Sequence, residues 1–337
     1  MLENGPDIAL MVERVSPSSP LVTLGFLRVE GQTPYQVLRP SAQLIRACLD
    51  RDPELAPPPG AILSHLRGTW DELILPPHAI SQLKDFTAWV ARAPDISLNW
   101  GGKPVHGPLA LFSGASGTGK TFAAGCIASA LQDRTGEPWA LYTLDLGRVM
   151  SKYVGETEAN LNALLESLDG RRAVLQIDEA DGLLGKRGDV SDARDRYANL
   201  EVSHLLSRFE RHMGPVILTT NLRSNVDSAF LRRFQLIVDF PGPDAAARHA
   251  LWELLLPPKA PRAEALDLAL LGADVRLSGG SIQNAAHYAA VMAAEAESPI
   301  GPTHIARAVK AELSKDGRQI RKAELGHLAD HLPEGQT

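Results

Sequence analysis

Residues Gly114, Ala115, Ser116, Gly117, Thr118, Gly119, Lys120 and Thr121 constrain this chain more than any other stretch. They fit the spacing G-x-x-x-x-G-K-[ST], directly after the apolar run "LALFS" and directly before the helix pattern "TFAAGCIASALQ". Such a turn points successive backbone N–H groups inward at a helix N-terminus and so makes an anion cradle. A nucleoside triphosphate fits it. Lys120 reaches the β- and γ-phosphates, and the Thr121 hydroxyl sits on Mg²⁺. A flexible Gly-rich connector is the bland alternative, and it needs neither the lysine nor the strand and helix that flank the loop.

The flanking pattern extends along the chain. Apolar runs at 109–113, 140–145, 173–177, 215–220 and 236–240 are separated mostly by helical stretches. Short apolar strands alternating with helices predict a parallel sheet covered on both faces. Beyond "PGPD" the strands stop, and "AAARHALWELLL", "SIQNAAHYAAVMAAEA" and "THIARAVKAELSK" predict a small all-helical unit. Residues 1–68 end in the Pro cluster "PELAPPPG", which cannot continue a helix and reads as a linker. The chain thus divides into an N-terminal unit (1–68), an α/β unit (69–242), a helical unit (243–316) and a C-terminal tail (317–337).

A length of 337 residues suits two or three such units. The net charge of −6 gives no global attraction for nucleic acid, and no Lys or Arg run forms a basic tail. Cys48 and Cys126 are too few for a disulfide framework or a zinc site, which suits a reducing compartment. No apolar run approaches the ~20 residues needed to span a bilayer. With no charged leader before an apolar segment, a cytoplasmic protein is expected.

A phosphate cradle does not say what becomes of the phosphate. "AVLQIDEAD" puts Asp178 and Glu179 at the end of an apolar strand, where parallel sheets build their sites. Asp178 suits Mg²⁺, and Glu179 suits the orientation and polarisation of an attacking water. Acidic residues there can also merely cap the next helix, a reading the phosphate loop makes the weaker one. "VILTTN" ends another strand at Asn221, whose amide could bond the water or the γ-phosphate.

These motifs, followed by "NVDSAFLRRF", resemble in order and spacing those of the AAA+ ATPases, and within them the subgroup of protein-remodelling and microtubule-severing ATPases. The resemblance covers roughly residues 70–315. It implies a five-stranded P-loop α/β subdomain, a helical lid, Mg²⁺-dependent hydrolysis of ATP and a homo-oligomeric ring, usually a hexamer. It matches Arg232 and Arg233 to the arginine fingers that reach a neighbour's γ-phosphate. It matches Tyr153, Val154 and Gly155 to the aromatic-hydrophobic-Gly triplet of a pore loop that grips an extended polypeptide. It assigns "GKRGDVSDARDRYANLE", with Arg194 and Arg196, to a second pore loop near the subunit boundary. Gly280 and Ser281 correspond to a Gly-Ala pair in the lid helix, so Gly280 joins the ATP-binding set and no lid arginine reaches the γ-phosphate.

More narrowly, "SKYVGETEANL", "DRYANLE" and "AFLRRFQLIVDFPGPD" resemble ATPases encoded beside phage-tail-like contractile injection systems. The N-terminal unit is then expected to dock a client or adaptor. An ATP-gated scaffold with little turnover is the first rival, against which Glu179 counts. A DNA-acting member of the superfamily is the second, against which the acidic balance and the Tyr153 triplet count. His327 and His331, four residues apart, read as a free surface pair rather than a metal site.

Overall fold

The structure, a computed structural model, describes residues 13–23, 26–30, 37–40, 44–45, 48, 58, 60–101, 107–145, 156–184, 205–221, 223, 226, 228–317 and 320–332. Helix α1 (Pro20–Thr23) precedes an antiparallel pair, β1 (Leu27–Glu30) and β2 (Val37–Pro40), with Leu27 opposite Pro40. There follow β3 (Ala61–Ser64), α2 (Pro77–Asn99), β4 (Leu109–Ser113), α3 (Lys120–Thr135), β5 (Ala140–Asp145), α4 (Glu156–Leu168) and β6 (Ala173–Asp178). Then come α5 (Asp181–Leu184), β7 (Val216–Thr220), α6 (Ser228–Leu231) and β8 (Leu236–Asp239).

Among the described residues, six strands form one sheet in the order β3-β5-β6-β7-β4-β8. The last five are parallel, as the alternation of apolar runs and helices predicts. Every residue of β4 and β7 is buried. Their side chains alternate between two cores, as a period of two demands. Leu109 and Leu111 face the side that holds Leu161, Leu164 and Phe209, whereas Ala110 and Phe112 face Leu83, Phe86 and Ile127.

Two differences from the sequence reading concern the chain ends. Strand β3 pairs antiparallel with β5, Ala61 opposite Leu144, and extends the sheet beyond the five strands expected. The boundary at 68 therefore does not separate all of the N-terminal residues from the sheet. A four-residue strand behind a Pro cluster is too short to show alternation. β1 also reaches the α/β unit, where Arg28 bonds Glu166 (2.9 Å) and Asp169 (3.3 Å) near the end of α4.

The helical unit contains α7 (Ala245–Leu255), α8 (Leu268–Asp274), α9 (Gly279–Glu295), α10 (Pro302–Leu313) and α11 (Lys322–Leu325). Asp244, Asp267 and Ser278 cap the first three through the N–H groups of Ala247, Leu270 and Ser281. Trp252 is wholly buried in their core. Residues 320–332 do not behave as a tail, because Leu325, Leu328 and Leu332 are buried in that same core. His327 is not half of a free surface pair: its Nδ1 lies 2.8 Å from Asp274 Oδ2, and its backbone N–H donates to the same oxygen. Among the described residues, no helix is long and apolar enough to cross a membrane.

Candidate nucleotide site

Strands β6, β7 and β4 are neighbours and run the same way, so their C-terminal ends bring Asp178, Asn221 and the loop after Ser113 to one edge of the sheet. That loop is the Gly114–Thr121 segment. Gly114 accepts no side chain, since a Cβ there would lie 2.1 Å from the Phe240 carbonyl oxygen. Its N–H donates to the Thr220 carbonyl (3.1 Å), which fastens the loop to β7. Gly117 has φ +74°, a left-handed conformation that glycine adopts at little cost.

The loop opens on a cleft of about 550 Å³. Ser116, Gly117, Thr118, Gly119, Lys120 and Thr121 line it, with Asp178, Glu179 and Asn221 facing them. Leu73 and Ile74 from the segment before α2, and Leu251, Leu255 and Gly280 from the helical unit, supply an apolar wall that suits a base. The cleft thus lies between the two units. Gly114 and Ala115 do not line it; their carbonyl oxygens accept hydrogen bonds from Lys120 Nζ at 2.6 and 2.9 Å.

Lys120 Nζ also donates to Asn221 Oδ1 at 3.0 Å. Burial pushes the Lys120 ammonium below its ordinary value, and the nearby carboxylates of Asp178, Asp181 and Glu179 offset part of that. A buried cation ringed by acceptors and facing a cleft is a place for an anion.

The acidic turn is held from β7. Thr219 Oγ1 accepts the Glu179 N–H (3.1 Å) and donates to Asp178 Oδ1, while the Thr219 carbonyl accepts the Ala180 N–H (2.8 Å). Glu179 has φ +51°, an uncommon conformation for a side-chain-bearing residue and one that costs of order 1–3 kcal/mol. The Thr219 contacts hold it there. Thr219 and Asp181 were not singled out by sequence reasoning, because their roles depend on the β6–β7 register.

Arg232 is exposed, and Arg233 Nη1 bonds Glu210 at 3.2 Å; neither lines the cleft of its own chain. Tyr153, Val154, Gly155, Arg194 and Arg196 lie outside the described residues.

Residues 110–242 match the family described as "ATPase family associated with various cellular activities (AAA)". Cell division protein C of Sulfolobus acidocaldarius is 31% identical over 180 residues, which is 50% of this chain and 45% of that protein. Protein CdcH of Halobacterium salinarum is 26% identical over 269 residues, 74% of this chain and 35% of that one. Human Fidgetin-like protein 1 is 31% identical over 183 residues, 53% of this chain and 26% of that one. The alignments span less than half the length of each of these relatives. The matched residues contain the phosphate loop, the acidic turn and Asn221 on one parallel sheet, so this chain carries an AAA ATPase domain.

Proposed function

We propose that the protein hydrolyses ATP in this cleft and works as a homo-oligomeric ring, a hexamer, that remodels or threads a protein client. The observation that carries the reading is the Lys120–Asn221 contact at the foot of a cleft bordered by Glu179. In such an arrangement, Lys120 and the loop N–H groups from Ser116 to Thr121 hold the triphosphate. Thr121 and Asp178 fit a Mg²⁺ carried by that triphosphate, since both line the cleft. Bound there, Mg²⁺ would neutralise charge on the phosphate oxygens.

Glu179, on the same wall as Asn221, orients and polarises the water that attacks the γ-phosphorus, and Asn221 holds that water or the γ-phosphate. Arg232 and Arg233 serve the neighbouring subunit's cleft. Their absence from the lining of their own cleft supports this division. Tyr153, Val154 and Gly155 then face the central pore and grip the client. A client from a contractile injection system is the narrower form of the proposal and rests on the sequence resemblance alone. The net charge of −6 favours a protein client over nucleic acid.

Turnover per subunit should be measured against protein concentration for the wild type, Glu179→Gln and the double variant Arg232→Ala/Arg233→Ala. Specific activity that rises with concentration, and that both variants abolish while still binding ATP, is the expected result. Activity independent of concentration and of the arginines would remove the ring; no turnover at any concentration would favour a scaffold.

A further inference from the structure

Asp181 has no place in the functional reading so far, yet its carboxylate accepts from two consecutive residues at the end of β7. Oδ1 accepts the Thr220 hydroxyl and the Asn221 backbone N–H (3.1 Å), and Oδ2 lies 3.3 Å from the same N–H. Thr220 is almost wholly buried, and its carbonyl accepts the Gly114 N–H at the start of the phosphate loop. Asp181 itself does not line the cleft. A helix cap bonds its own helix, whereas these bonds cross to the end of a different strand, so local capping does not account for them.

We propose that Asp181 is a positioning residue for hydrolysis: it fixes the backbone of Asn221 so that the Asn221 amide meets Lys120 and the γ-phosphate region of the cleft. The inference rests on the ATPase reading above. Asn221 follows β7, where the ladder to β6 has ended: the last β6–β7 pair is Ile177 with Leu218. The ladder to β4 runs on to Ser113 with Thr220; beyond Thr220 the strand bonds no longer set where the chain goes, and the Asp181 carboxylate takes over that role. Its two oxygens hold the hydroxyl of one residue and the N–H of the next. That pair fixes the direction in which the Asn221 side chain leaves the backbone, and Lys120 Nζ meets it at 3.0 Å.

The test compares Asp181→Ala and Asp181→Asn, each alone and combined with Asn221→Ala, for kcat, KM and melting temperature. Asn keeps an oxygen for the Asn221 N–H and the Thr220 hydroxyl while losing the charge. The expected result is a kcat for Asp181→Ala at least about tenfold lower with KM within about threefold, and Asp181→Asn within about threefold of wild type in both. The double variant Asp181→Ala/Asn221→Ala should be no slower than Asn221→Ala alone, because both changes remove the same placement.

A fall in melting temperature with kcat unchanged would overturn the proposal and leave Asp181 a structural cap. So would additive losses in the double variant, or Asp181→Asn as slow as Asp181→Ala. Should Asp181→Ala not fold, the Asp181→Asn result and Thr220→Val, which removes one of the carboxylate's donors and should lower kcat with KM held, decide the matter. A wild type with no turnover removes the ATPase reading and this inference together; an active wild type with an unimpaired Asp181→Ala removes only the inference.

Discussion

The Gly280 N–H donates to the Gly117 carbonyl oxygen over 2.9 Å, which joins the helical unit directly to the phosphate loop. A Cβ on Gly280 would lie 3.2 Å from Gly117 Cα, and one on Gly117 would lie 2.7 Å from Ser278 Oγ. The lack of side chains on both residues leaves room for the two backbones to meet. In the proposed function, closure of the helical unit over a nucleotide would meet the phosphate loop main chain to main chain.

Gly117→Ala tests this contact. The new methyl meets Ser278 Oγ, and φ +74° is unfavourable for alanine. A cost of about 1–2 kcal/mol to the nucleotide-free fold is expected, seen as a lower melting temperature. An unchanged melting temperature would mean that the loop and the lid are apart in the free protein.

Thr219→Val removes the hydroxyl that bridges Asp178 and the Glu179 N–H. The part-buried amide then lacks its acceptor, at about 1 kcal/mol, in the conformation that already opposes it. Turnover should fall about ten- to a hundredfold while ATP affinity changes less than about threefold. Thr219→Ser, which keeps the hydroxyl, should recover most of the rate. Steady-state kinetics on the three proteins decide it.

The Asp274–His327 pair predicts an acid sensitivity. Hydrogen bonds from the His327 side chain and backbone hold the Asp274 carboxyl below its ordinary value of 3.8. A lowered carboxylate value in the folded state means stabilisation that is present above the ordinary value and lost as pH falls through the folded one. Asp274→Asn should therefore melt below the wild type at neutral pH, and that gap should close below about pH 4. Melting curves from pH 7 down to the acid limit measure it; a gap that persists at the acid end would show that the pair contributes through shape alone.

Thiol chemistry should distinguish the two cysteines. Cys48 is exposed, whereas Cys126 is buried in the core against α2. Burial, with a smaller push from the Glu72 carboxylate, drives the Cys126 thiol up to about 12. At pH 8 a thiol reagent should titrate one group per native chain and a second only in denaturant. Two fast-reacting groups in the native protein would mean that α3 opens readily from the sheet.

Much of this arrangement is legible in the sequence because it depends on local patterns. The apolar runs fall within a residue of the five parallel strands, and the phosphate loop needs only its glycines and lysine between a strand and a helix. What stays hidden depends on register and on distant partners. Nothing in "DEAD" distinguishes Asp181 from a helix cap until β7 is laid beside β6. Likewise, Arg232 and Arg233 look equivalent in "LRRF", yet Glu210, some twenty residues away in sequence, engages Arg233 while Arg232 is exposed. The buried leucines at 325, 328 and 332 follow the polar stretch "DGRQIRK" and so resemble a tail.

Strand β3 gives the N-terminal residues a mechanical connection to the domain. It lies antiparallel against β5, from Ala61 opposite Leu144 to Ser64 opposite Leu141. Tension along its axis loads the rungs of that short ladder together, in shear, instead of peeling them one at a time. Force applied to the chain ahead of Ala61 thus arrives at β5, the strand that leads into residues 146–155. A load carried by the chain ahead of Ala61 would therefore reach β5 through the sheet itself.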